Sequence, residues 1–314
     1  MIGMLVPQAG SAGPSRRLGG TPVALVATPD ENEVIAVTLS DGRIIRRVAV
    51  QDPTRVVAEA NGPAVVLSPH GTVTLLASPS SRVIKTFHGF RSPSAAALTP
   101  DGEWAYVADA ARGRLSVIEL ANDRIIHTVR VGVGARSVAV SPDEHLAWVA
   151  LASGIVILDT TRPEAPRVIR RVRLDEPAGN LAFSPDSRTV WATSPRPSSI
   201  LVLQARTAQQ VAGIPLPSTP EDIRLVSFGG SVHTTWAYVL AGSSLFVIDV
   251  RSHTIRHRVS APRGSSSLAT SGGLLATASP LTGQIAEYDA TTFQNRLTIK
   301  PATRATSIAI EVWP

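Results

Sequence analysis

The chain has 314 residues, 44% of them hydrophobic, with 23 glycines, 24 prolines and a formal net charge of +6. That supports a large core assembled from short segments and turns, and argues against a low-complexity disordered chain. The absence of cysteine excludes a disulfide framework, a thiolate zinc site and covalently attached haem. It suits either side of a membrane, and no apolar run reaches the length of a membrane-spanning helix.

Residues 1–21 read as an N-terminal tail expected to be disordered. The stretch lacks a basic start and its apolar run breaks at Pro7, so it makes a poor signal peptide. From residue 22 the chain repeats itself. The tripeptides Thr99-Pro100-Asp101, Ser141-Pro142-Asp143 and Ser184-Pro185-Asp186 recur at spacings of 42 and 43 residues. Each repeat holds four short apolar or alternating runs, predicted as strands A to D in chain order. Proline presets φ and aspartate bonds neighbouring backbone, so the tripeptide closes the A–B hairpin. Asn61-Gly62, Phe228-Gly229-Gly230 and Ser271-Gly272-Gly273 stand in for it elsewhere.

Six complete units follow at 53–90, 91–132, 133–174, 175–217, 218–262 and 263–301. Residues 22–52 supply only strands B, C and D. The terminal segment 302–314 contains "ATSIAIE", which aligns with strand A, "ARSVAVS" at 135–141. The two ends therefore complete one unit between them. The expected fold is all-β: a single seven-bladed β-propeller, 22–314, of four-stranded antiparallel blades, closed by the C-terminal strand joining the N-terminal blade. Ring closure protects open strand edges.

These residues resemble YVTN-family β-propellers, with their WD40-like repeat of roughly 40 residues. Tyr106-Val107-Ala108-Asp109 and Trp148-Val149-Ala150 match the family's Y-V-T-N strand in part, and Trp191-Ala192-Thr193 and Tyr238-Val239 less fully. Val117-Ile118-Glu119, Ile157-Leu158-Asp159 and Val247-Ile248-Asp249 match its V-I-D strand. The resemblance implies the propeller and a location outside the cytoplasm, in the periplasm or at the cell surface. It does not imply one activity, since binding proteins, lactonase-like enzymes and redox-cofactor proteins share the ring. Tyr106, Trp148, Trp191 and Tyr238 share one repeat position. Packing between blades accounts for them better than a stacking platform for a sugar or base.

Propeller sites lie at the channel mouth, where the A strands begin. The first mouth position holds Thr54, Ser94, Arg136, Gly179, Glu221, Ser266 and Thr306. The next holds Arg55, Ala95, Ser137, Asn180, Asp222, Ser267 and Ser307. Arg55, Arg136, Asn180, Glu221 and Asp222 are the candidate ligand-binding residues. Glu221 and Asp222, as strand neighbours, point to opposite faces and do not form a dyad. No catalytic residue is assigned, and no cofactor. No metal is assigned either: the histidines lack ligand spacing, and Asn180, Glu221 and Asp222 offer a lactonase-type ligand set from two blades only.

Half of the 30 basic residues fall in the D strands, which carry no Asp or Glu. Arg46, Arg47, Arg170, Arg171, Arg173, Arg256 and Arg258 are the candidate basic rim. Charge on an outer strand discourages edge-to-edge association, and the same charge could dock an acidic protein or an anionic cell-envelope polymer. Nucleic acid is disfavoured, because Phe87 is the rim's only interleaved aromatic. The expectation is a non-enzymatic, monomeric interaction or ligand-binding module. The alternatives are a lactonase-like or lyase-like hydrolytic channel and a polyanion-binding rim.

Overall fold

The computed structural model describes residues 20–59, 62–79, 81–229 and 234–313. Residues 1–19 of the expected tail, together with Asn61, Gly230 and His233, lie outside the described residues. The short apolar runs form 28 strands in seven four-stranded antiparallel sheets, a β-propeller with a single 3-10 turn, Pro29–Glu31, among the described residues. Blade 1 is ordered Ser307–Trp313, Thr21–Thr28, Glu33–Thr38, Ile44–Ala49, so the last strand of the chain is its innermost. The closing pair runs in register from Thr21 opposite Trp313 to Ala27 opposite Ser307.

The turn chemistry is visible in the hairpins. Ser141 and Ser184 donate their hydroxyls to Asp143 and Asp186, each at 2.6 Å, and accept the amides of Leu146 and Thr189 at 2.9 Å. Neighbouring turns also hold one another. The Asp101 amide donates to Glu144 at 2.8 Å, and the Asp143 amide to Ser187 at 3.1 Å.

The repeat aromatics are buried between blades, and three of them bond the C–D turn of the next blade. The Tyr106 hydroxyl donates to the Pro163 carbonyl at 2.8 Å and the Trp148 indole to Ala205 at 2.9 Å; Tyr238 donates to Ala290. Trp191 packs edge-on against His253, 5.5 Å between ring centres, and its indole N–H has no partner among the described residues. None of the four faces the channel.

Each outer strand carries a bulge opposite strand C. The extra residue is Ile45, Ile84, Ile126, Ile169, Val211, Arg256 or Arg296. A bulge twists the edge away from other strands, which explains several isoleucines that stay exposed on the circumference.

Two buried carboxyls make the fold sensitive to pH. Burial pushes Glu287 up, against the pull of Arg296 and with help from Asp289. It pushes Glu311 up against hydrogen bonds from Trp313 and Ser78. A carboxyl raised in the fold gives its full stabilisation below the unfolded pKa and loses it as pH rises through the folded pKa. Glu287→Gln with Glu311→Gln is therefore expected to gain stability relative to wild type as pH climbs from about 5 to about 8, read as urea midpoints. Parallel curves for the two proteins would refute it.

Candidate functional site

The seven innermost strands surround a channel of about 420 Å³. Its lining includes Arg55, Asn180 and Asp222 of the sequence-predicted residues, with Thr54, Ser266 and Thr306. Arg136 and Glu221 do not line it; both are exposed on the lip. A bulge explains their placement. In blades 4 and 6 the A strand skips register between Ala135 and Ser137 and between Pro220 and Asp222. The extra residue, Arg136 or Glu221, is left unpaired and turned outward. Ser94 occupies the same bulge in blade 3.

The second mouth position has a structural job that the sequence does not reveal. In four of the seven blades its side chain accepts a backbone amide from the A strand of the next blade. Ser137 accepts from Leu181 at 3.2 Å, Ser267 from Ile308 at 3.1 Å and Ser307 from Val56 at 3.1 Å. Asp222 accepts from Leu268 at 2.9 Å through one oxygen. Its other oxygen takes the Ile223 amide at 2.9 Å and the Arg224 guanidinium at 2.8 Å. Asp222 is only 5% exposed, so its carboxylate is committed to holding blade 6 against blade 7. Asn180 departs from the pattern: its side-chain amide donates to the Glu221 carbonyl at 2.5 Å.

Arg55 departs further. It lines the channel and makes no hydrogen bond or ion pair with any described residue. Enclosure by the blades pushes its pKa down; the Asp222 carboxylate opposes this and the Arg224 cation adds to it. Arg224 and Glu59 were not among the sequence candidates, and both line the channel. Glu59 keeps solvent contact along the channel, yet the surrounding blades push its carboxyl up, against Arg224. Period-two alternation could have found Arg224, two residues beyond Asp222 on the same strand face.

The rim arginines are less free than their number suggests. Arg47 pairs with Glu33 at 2.8 Å and Arg256 with Asp249 at 3.6 Å. Arg171 donates to the Arg130 carbonyl at 2.9 Å and to Val131, stapling blade 4 to blade 3. Arg258 donates to Ser244 at 2.9 Å and lies over Phe246. Arg46, Arg170 and Arg173 have no partner among the described residues. The fifth outer strand, Gln210–Pro215, carries no basic residue and interrupts the belt.

Comparison with known proteins agrees on the ring. The Cytochrome D1 heme domain family matches residues 58–162, about a third of the chain. Comparison with curated proteins gives no match. Among solved structures, apo AztD from Citrobacter koseri is 13% identical, with a TM-score of 0.73 over 93% of this chain and 98% of that one. A functionally unknown protein from Desulfotomaculum acetoxidans is 16% identical, with a TM-score of 0.78 over 93% and 99%. The dihydro-heme d1 dehydrogenase NirN, in complex with DHE, is 17% identical, with a TM-score of 0.65 over 89% of this chain and 63% of that one. At these identities the likeness is one of fold.

The partial family match raises the question of haem. A protein-held haem iron takes an axial His, Met, Cys or Tyr. The described residues lining the channel include none of these. The channel as lined does not fit such a group. Nor do the described residues contain a cluster of three His, Cys, Asp or Glu suited to a metal ion.

Proposed function

We propose that this propeller is a non-enzymatic binding module that takes a small ligand into its central channel. The observation that carries the reading is the channel itself, about 420 Å³ and polar at its mouth, with Arg55 and Arg224 in its lining. A concave site with few converging polar groups is the usual form of a small-ligand site. The YVTN-like repeats support the reading and a location outside the cytoplasm. A lactonase-like alternative would need Asn180, Glu221 and Asp222 on one ion. Asp222 has both oxygens engaged, and Glu221 is turned to the lip.

The test is native mass spectrometry after exposure to a metabolite extract and gel filtration. Wild type is expected to retain a small non-covalent mass. Ser266→Trp, which fills the channel mouth, is expected to lose it. A bare wild type, or equal retention by both, would sink the channel reading.

A second reading rests on Arg46, Arg170 and Arg173, exposed rim arginines without partners among the described residues, as a dock for an acidic protein or an anionic cell-envelope polymer, with the propeller acting as a monomer. Such binding would weaken steeply with salt.

A further inference from the structure

Arg55 lacks the link made by four of the seven residues at its ring position, as do Ala95 and Asn180. At that position Ser137, Asp222, Ser267 and Ser307 each supply an acceptor to the next blade's amide. A guanidinium has five donors and no acceptor. Arg55 therefore cannot make this link, and its side chain extends into the channel instead. There Arg55, only partly buried, makes no hydrogen bond or ion pair with any described residue. The other two departures, Ala95 and Asn180, are neutral; a charge placed in the channel at this position marks a functional site.

The surroundings fix the sign of what would satisfy it. Arg224 is the second cation of the lining, and Asp222 offsets one of the two charges while remaining bound to the Leu268 and Ile223 amides. Glu59, the remaining acid of the lining, is exposed and makes no ion pair with either arginine. Asp222 is thus committed to Arg224, and among the described residues no carboxylate forms an ion pair with Arg55. Thr54, Ser266 and Thr306 stand around it as neutral hydrogen-bonding groups.

Resting on the channel reading above, we infer that the ligand is a small organic oxyanion, a carboxylate or phosphate held by the guanidinium fork of Arg55 with Arg224 beside it. The fork matches two oxygens of either group. The volume admits a molecule of metabolite size and not a polymer.

Citrate and inorganic phosphate are the probes, titrated calorimetrically at constant ionic strength against wild type, Arg55→Met and Arg55→Lys. Wild type is expected to bind at least one of them saturably. Arg55→Lys keeps the charge but not the fork, and is expected to bind about tenfold more weakly; Arg55→Met is expected to lose about a hundredfold. Binding of citrate alone assigns a carboxylate, and binding of phosphate alone a phosphate ester. If Arg55→Met does not fold, Arg55→Lys decides: unchanged affinity there overturns the assignment. Failure of wild type to bind either anion overturns it too. In that case a retained mass that Ser266→Trp abolishes would leave the channel reading standing, and no retained mass would remove both.

Discussion

A chain ending at Pro301 is expected not to fold. The missing segment supplies the innermost strand of blade 1, Ser307–Trp313. Ile308 and Ile310 pack into the cluster shared with blade 7, and Ala309 into the one shared with blade 2. Burying two isoleucines is worth roughly 3–6 kcal/mol. The loss does not stop there. Val23, Leu25 and Ala27 would be uncovered along an edge strand that is otherwise wholly paired. The links from Ser307 to Val56 and from Ser267 to Ile308 would go too, opening the ring on both sides. Together these approach the net stability of a typical domain, about 5–15 kcal/mol. The truncated chain should aggregate and bind a hydrophobic dye. A permutant separates strand loss from a general intolerance of shortening. Trp313 lies opposite Thr21 in the register, so a short hairpin loop can join residues 302–313 to the front of the chain. That protein is expected to fold with a wild-type denaturation midpoint. A soluble truncation with the wild-type midpoint would refute the closure account.

The ring was legible because its signals repeat. One Ser-Pro-Asp turn is weak evidence; three at near-equal spacing, each followed by the same apolar runs, define a unit. The orphan strand at 307–313 was legible for the same reason, since an incomplete first unit needs it. The channel was less legible. Repeat alignment brings Asp222 and Ser267 to the mouth, but not whether they face the ligand space or the next blade. That depends on the bulges at Ser94, Arg136 and Glu221, which shift the period-two alternation by one residue. Arg224 lies deeper along its strand, Pro220–Phe228, than the two mouth positions that repeat alignment singles out. The rim was overcounted for a different reason. The acids that neutralise it, such as Glu33 and Asp249, come from strand C and pair with strand D.

The role of Asp222 yields the second large effect. Asp222→Ala is expected to destabilise the protein by about 2–4 kcal/mol, seen as a lower urea midpoint. The value sits below the ~3–5 kcal/mol of a fully buried broken pair, because the Arg224 side chain is 39% exposed. Three donors lose their acceptor: the Leu268 amide at 2.9 Å, the Ile223 amide at 2.9 Å and the Arg224 guanidinium at 2.8 Å. The matched control is Ser267→Ala, which removes a single acceptor from the Ile308 amide at 3.1 Å. It is expected to cost about 1–2 kcal/mol, the price of one unsatisfied buried amide. If Asp222 acts as a junction of two links, one to blade 7 and one to Arg224, the two losses couple. Asp222→Ala and Arg224→Ala combined should then cost less than the sum of the single changes, by more than ~0.5 kcal/mol. Strict additivity would show that the ion pair contributes nothing. An Asp222→Ala cost equal to that of Ser267→Ala would reduce Asp222 to one more hydrogen-bond link in the ring. A coupled result leaves Arg224 held by a residue that also sets the spacing of blades 6 and 7. The strand joint and the charge in the channel are then one piece of machinery, and neither can be altered without disturbing the other.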